Sequence, residues 1–293
     1  MPDPDIFKDK SSKPKIVNPN FISPLVILLG ASTFSQGALT DQFDAFPNGG
    51  TGWAADWVTS AGLNPTLAGT APVNGGGQYL SAVNTANSTN FGITRNIGSL
   101  TSSIYTLTFD WRLDSTLDTF TSFNDRVHFG SNSDASFGTS ANWGWIIGVS
   151  AADNGTTNTV HNGNWYFYNN RSTGGNGGFV QEDMVNTGIA LAPNVTYSFT
   201  VTVNSATQTY SAAILGSDGS TFSEADLNFR NQSTPGTGQS NLVFGGAVSP
   251  ATGSPLETMT WSLDNINVVP EPSSALLAGI SGLLCFVRRR IVH

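Results

Sequence analysis

The sequence predicts an all-β protein: a two-sheet antiparallel β-sandwich over residues 39–269, followed by a short C-terminal transmembrane helix. Three observations predict it. Residues 39–269 repeat period-two alternation of apolar and polar side chains and contain no long 3.6-residue period. Their connectors are rich in Gly, Asn, Ser, Thr and Asp, as at 131–142 and 169–178, which are turn residues. The final 24 residues join a Pro-rich break, an uncharged apolar run and a cluster of arginines. Three regions follow: a leader at 1–38, the sandwich at 39–269 and a tail at 270–293 with its helix at 273–287.

Composition narrows the function classes. Only 11% of the 293 residues are charged, 39% are hydrophobic and 32 are Gly. That apolar content is too high for a disordered polymer and too low for a polytopic membrane protein. The net charge of −8 is unevenly spread. All four Lys lie in the first fifteen residues, and Arg288, Arg289 and Arg290 lie in the last six. Residues 39–269 hold five Arg and no Lys against sixteen Asp or Glu. So acidic a body offers no footprint for phosphates, and a nucleic-acid partner is excluded.

The N-terminal segment 21–38 reads FISPLVILLGASTFSQGA after a lysine-bearing stretch. A positive region, a short apolar core and small residues at the exit make a secretory signal peptide. Its apolar core, 21–31, falls short of the roughly 20 residues a spanning helix needs. Ser35 and Gly37 occupy the −3 and −1 positions for a cut before Ala38. A buried strand or helix opening the domain is the competing reading.

The strands follow in order. Residues 104–113 put Tyr105, Leu107, Phe109, Trp111 and Leu113 on one face and mostly Thr, Asp and Arg on the other. Residues 195–203 alternate Val195, Tyr197, Phe199, Val201 and Val203 with Thr and Ser. Each is a strand with one buried and one wet face. Weaker runs at 78–83, 91–97, 126–130, 145–150, 164–168, 208–215, 242–248 and 258–268 bring the number to about ten. A four-residue hairpin loop is expected at 204–207. In 258–268 the apolar phase slips from odd to even, which predicts a bulge at Asp264-Asn265. Arg95, in phase with Phe91, Ile93 and Ile97, needs a buried carboxylate partner, and Asp264 is the expected one. The single Cys lies in the tail at 285, so the body holds no disulfide and no thiolate site.

In the tail, Pro270-Glu271-Pro272 ends the body with a stiff, non-helical element. Residues 275–287 are then uncharged, and Arg288–Arg290 form a basic stop of the kind that stays cytoplasmic, leaving the body outside. At about 1.5 Å per residue the helix is shorter than the ~30 Å hydrocarbon core. A C-terminal helix packed on the domain is the competing reading, but such a helix normally shows a polar face.

These residues resemble the PEP-CTERM sorting signal of exported bacterial proteins. The resemblance implies that an exosortase-type membrane transpeptidase recognises Pro270, Glu271 and Pro272, cuts near them and passes the body to the cell surface or an exopolysaccharide matrix. The stretches DQFDAFPNGGTGWAADW, IYTLTFDWRL and TWSLDNINVVPEP resemble the concanavalin A-like (laminin-G-like) jelly rolls. That fold includes lectins, glycan-binding modules and glucanases, so it does not choose a function.

The candidate chemistry is sparse. Glycoside hydrolysis needs two positioned carboxylates. The body has only Glu182, Glu224 and Glu257, and the glucanase motif is absent. No enzyme is therefore expected, and a polysaccharide-active hydrolase or lyase on the same fold is the alternative. Calcium is the cation its loops suit, with Asp134, Asp153 and Asn154 as ligands, although turns need the same residues. No other cofactor is implied. Trp143, Trp145, Trp165, Tyr166 and Tyr168 crowd two adjacent runs in both phases. If one phase faces outward, Trp143, Trp165 and Tyr166 stack on sugar rings while Arg126 and His128 supply hydrogen bonds. If the sheet is covered on both sides, the same rings are core.

Overall fold

The computed structural model describes residues 37–75, 77–85, 91–98, 100, 104–117, 125–133, 143–150, 163–170, 183–232, 240–248 and 258–271. They contain fifteen strands: β1 (Leu39–Asp41), β2 (Val58–Thr59), β3 (Leu63–Ala68), β4 (Tyr79–Thr85), β5 (Phe91–Asn96), β6 (Ile104–Leu113), β7 (Arg126–Asn132), β8 (Trp143–Ser150), β9 (Asn164–Tyr168), β10 (Met184–Ala190), β11 (Thr196–Asn204), β12 (Thr209–Gly216), β13 (Thr221–Asn228), β14 (Asn241–Ala247) and β15 (Thr258–Pro270). No helix among the described residues is long and apolar enough to cross a membrane. The expected helix at 273–287 and most of the leader lie outside the described residues.

The strands form two antiparallel sheets, as the patterning predicts. The eight-stranded sheet runs β13-β12-β11-β6-β15-β4-β3, with β1 paired to β15. The seven-stranded sheet runs β10-β9-β8-β7-β14-β5-β2. Their inner faces meet in one apolar core. At its centre Phe109 and Phe199 of the first sheet stack at 4.9 Å, and Phe129 and Phe244 of the second meet Phe109 edge-on at 5.2 and 5.0 Å. Such aromatic pairs add about 0.5–1.5 kcal/mol each beyond their burial.

All ten strands read from the sequence are present. The predicted bulge is there too: Asp264 pairs with Asp110, the next pair is Asn267 with Thr108, and Asn265 takes φ 54°. The slip lets Leu263, Ile266 and Val268 all point into the core. The β11–β12 loop has the expected length but lies one residue later, since Asn204 pairs with Thr209. The side chain of Asn204 accepts hydrogen bonds from the amides of Ala206 and Thr207 at 3.1 and 3.2 Å.

The five additional strands sit at sheet margins or are irregular. β3 contains Pro65, and both β3 and β13 are edges of the eight-stranded sheet. β13 exposes most of its residues and so lacks an alternating apolar signal. β10 is interrupted by a register shift at Asn186/Ala190, with Gly188 at φ 72°.

The partner of Arg95 is Asp41, not Asp264. Arg95 is buried, ion-paired to the Asp41 carboxylate, and donates to the carbonyls of Ala55 and Gly49 at 2.8 Å each. Trp53 lies 4.5 Å from its guanidinium carbon. Asp41 also accepts from the Phe43 amide and the Trp57 indole at 2.8 Å. Asp41 belongs to the first strand, whose three residues carry no periodic signal, and this is why the pairing was not legible.

The two sheets treat their outer faces differently. β6, β11 and β12 alternate buried with partly or fully exposed positions, whereas every position of β8 and β14 is buried. The centre of the seven-stranded sheet is buried on both faces, while its margin strands β10 and β2 keep exposed positions.

Candidate functional site on the outer face of the seven-stranded sheet

β7, β8 and β9 place His128, Gly148 and Tyr166 in one cross-strand row, His128 opposite Gly148 and Gly148 opposite Tyr166. Strands two apart in a sheet are separated by about 10 Å. A side chain on the middle strand would fill that gap, and Gly148 has none. A Cβ there would fall 2.6 Å from His128 Cδ2 and 2.7 Å from Tyr166 Oη. The imidazole and the phenol lean over the glycine and meet, with His128 Nε2 hydrogen-bonded to Tyr166 Oη at 2.8 Å. On the other side of His128 the row continues as Gly245 and Gly92.

The next pair on this face sets Arg126 opposite Ser150, whose side chain lies near enough to the Tyr166 phenol to favour its ionised form. Arg230 follows β13. Its amide donates to the Gly144 carbonyl at 2.9 Å, and its guanidinium carbon lies 5.8 Å from the Tyr168 ring. Tyr168 donates to Asp183 Oδ2 at 3.4 Å. At the other end of this face Trp143, Ile146, Tyr168 and Val243 form a small apolar cluster against Met184. Gly130 makes room for it, since a Cβ there would lie 2.8 Å from the Trp143 ring.

Burial sets the protonation of the central pair. It pushes the His128 imidazole well below its ordinary value, and the charges of Arg126 and Arg230 push the same way. Burial pushes the Tyr166 phenol up to about 12, against the opposing effects of Ser150, Arg126 and Arg230. At neutral pH the site therefore holds a neutral imidazole next to an intact phenol, with two guanidinium groups beside them. Such an arrangement can bind a polyhydroxylated ligand by hydrogen bonds, and it can move a proton.

The structure gathers four of the five residues expected to bind glycan. Arg126, His128, Tyr166 and Trp143 share the outer face. Trp165 does not: it lies in the inter-sheet core, 5.5 Å from Trp111. The outward phase of the aromatics exists, but its rings are not open for stacking, with Trp143 4% and Tyr166 1% exposed. The physical reason is the two-sided burial of β8 and β9. Arg126, Asn164, Met184, Val185 and Asn186 are the partly open residues on β7, β9 and β10, and Gly188 and Ala190 of β10 are exposed. Sequence reading passed over Gly148, Ser150 and Arg230. A glycine inside the apolar run WIIGVS was the available signal for the first.

The expected calcium ligands Asp134, Asp153 and Asn154, and Glu182 and Glu257, lie outside the described residues. Among the described residues no three His, Cys, Asp or Glu are grouped to hold a metal. Glu224 and Asp226 line an open groove of about 630 Å³ on the eight-stranded sheet, together with Thr200, Thr202, Ser211 and Ser223. Asp110 is engaged by Asn265 and Asn74 at 2.8 and 3.2 Å.

The last strand carries the tail directly. Pro270 is the final residue of β15, opposite Tyr105. The Glu271 amide donates to the Ile104 carbonyl at 2.9 Å, and the Thr106 hydroxyl donates to Glu271 Oε1 at 3.1 Å. Residues 268–291 match the PEP-CTERM protein-sorting motif. The motif begins inside β15, with no linker between it and the sandwich.

No curated protein matches the chain. Among solved structures it is similar to a PL-14 alginate lyase from Aplysia kurodai, at 10% identity over 81% of this chain and 99% of that one, with a TM-score of 0.48. It is also similar to a GH131 beta-glucanase catalytic domain from Podospora anserina (14% identity, 73% and 80% covered, TM-score 0.41) and to peanut lectin (14%, 75% and 100%, 0.41).

Proposed function

We propose that the chain is an exported protein, sorted through its C-terminal motif to the cell surface or an exopolysaccharide matrix, where its β-sandwich binds carbohydrate without turning it over. The observation that carries this reading is the PEP-CTERM protein-sorting motif at 268–291, joined directly to the final strand of the sandwich. In this reading residues 1–38 are the export signal, an exosortase-type transpeptidase recognises Pro270, Glu271 and Pro272, residues 273–287 hold the chain in the membrane, and Arg288, Arg289 and Arg290 stop transfer.

The carbohydrate site is the outer face of the seven-stranded sheet. Arg126 at its partly open edge, with the partly open Asn164, Met184 and Asn186, supplies donors, acceptors and apolar surface, and the buried His128, Tyr166 and Trp143 lie behind them. A second reading, a polysaccharide lyase or hydrolase, is favoured by one observation: His128 Nε2 and Tyr166 Oη, two groups able to accept and donate a proton, are hydrogen-bonded at 2.8 Å.

One experiment separates the two. The purified protein is mixed with matrix polysaccharides, and both retention and new reducing or unsaturated ends are measured. Retention that falls on Arg126→Ala, with no new ends, supports the binding reading. New ends that vanish on His128→Ala support the catalytic one. Neither retention nor new ends removes the carbohydrate assignment.

A further inference from the structure

The sorting motif does not hang free from the domain. Val268 is the last residue of β15 with neighbours on both sides, opposite Leu39 of β1 and Leu107 of β6. Beyond it, among the described residues, the strand pairs with β6 alone. Val269 pairs with Thr106, Pro270 with Tyr105, and the Glu271 amide donates to the Ile104 carbonyl at 2.9 Å. Pro270, which has no N–H, stands at the strand end, where a missing donor costs least.

Side chains add a second tie. Thr106 Oγ1 is 3.1 Å from Glu271 Oε1 and 3.0 Å from Thr202 Oγ1. A hydroxyl has one proton. The Thr106 proton goes to Glu271 Oε1, so Thr202 must donate to Thr106. The hydroxyls of β11 and β6 thus form a short directed chain ending on the central residue of the sorting triplet. Such a chain strengthens its terminal bond.

We propose that Thr106 is a positioning residue for sorting: it clamps Glu271 to the folded sandwich, and the sorting enzyme reads Pro270-Glu271-Pro272 only after residues 269–271 have peeled off β6. This rests on the sorting reading above. A transpeptidase must take an extended segment into its own site, and a segment already paired to a strand is withheld from it. The fringe that opens is short, one-sided and at a strand end, the kind of segment that opens locally without unfolding the domain.

The test uses the full chain in detergent micelles and, in parallel, the producing cells. Hydrogen exchange is read at the Glu271 amide, and precursor shortening is followed by pulse–chase. The amide of the unmodified protein is expected to be protected. Thr106→Val keeps a β-branched residue in an outward-facing strand position but removes the donor. It should speed exchange about fivefold, the loss of one net hydrogen bond, and speed shortening in step. Thr106→Ser, which restores the hydroxyl, should return both rates to those of the unmodified protein. Thr202→Val, which leaves the bond to Glu271 in place, should move them less than Thr106→Val does. An unprotected Glu271 amide overturns the clamp, as does a Thr106→Val protein that is shortened at the unmodified rate or more slowly. If the precursor is never shortened, the sorting reading falls and the gating falls with it, while the exchange result still decides whether Glu271 is clamped.

Discussion

Replacing Gly148 by Ala adds one methyl group between His128 and Tyr166. Gly148 is not among the residues with positive φ, so its backbone accepts alanine. On backbone grounds alone the substitution would stabilise the protein by about 0.4–1 kcal/mol, because the unfolded chain loses freedom. The surroundings reverse that sign. The new carbon would lie 2.6 Å from His128 Cδ2 and 2.7 Å from Tyr166 Oη, against ordinary contacts of 3.4–4 Å. Both side chains are fixed in a buried layer, so overpacking costs about 1–3 kcal/mol. Driving them apart also breaks their 2.8 Å hydrogen bond, about 0.5–1.5 kcal/mol more. The net expectation is a loss of about 1–3 kcal/mol, read as a lower urea midpoint at unchanged slope. A double-mutant cycle sharpens it. Tyr166→Phe removes the oxygen that the added methyl group strikes, so the two changes together should cost less than their sum by about 1 kcal/mol or more. A Gly148→Ala protein within about 0.5 kcal/mol of the original, or strict additivity with Tyr166→Phe, would refute this picture of the site.

Other predictions address charge and binding. Arg95→Met leaves the Asp41 carboxylate buried without its cation, and it should cost about 3–5 kcal/mol in equilibrium unfolding. Asp264 is held up at about 6 by burial, with Asp110 and Asp41 adding to the effect against the Asn265 amide bond. Its folded value exceeds its unfolded one, so the folded state binds the extra proton between about pH 4 and 6. The protein should thus lose stability as pH rises through that window, by at most roughly 3 kcal/mol from this group. Asp264→Asn should flatten the slope in thermal melts and raise the neutral-pH midpoint. Arg126→Ala should weaken retention on matrix polysaccharide about tenfold or more, and Arg126→Lys, which keeps the charge beside the buried Asp125, should weaken it less.

The fold was legible wherever alternation was strong. β6 and β11 show one wet and one buried face, and their runs matched nearly residue for residue. The bulge in β15 was legible because the apolar phase slips at a defined point. β1 was not, because three residues carry no period, and with it went the true partner of Arg95. At the site, the sequence placed Arg126, His128, Tyr166 and Trp143 near one another but not their relation. That relation depends on register, which sets Gly148 between two rings, and on a cover over the second sheet, which turns outward-phase aromatics into buried ones. Neither register nor cover can be read from alternation. The tail was the most legible part, because a break, an apolar run and a basic end must follow one another in sequence to work at all.

The central claim is that a chain with these two ends is exported and then sorted by its C-terminal motif. The most direct measurement is the intact mass of the protein recovered from the cell surface. The account predicts a species that begins near residue 38 and ends close to Pro270-Glu271-Pro272. A surface protein still carrying Arg288–Arg290 and His293, or an unshortened 293-residue chain found soluble in the cytoplasm, would contradict it.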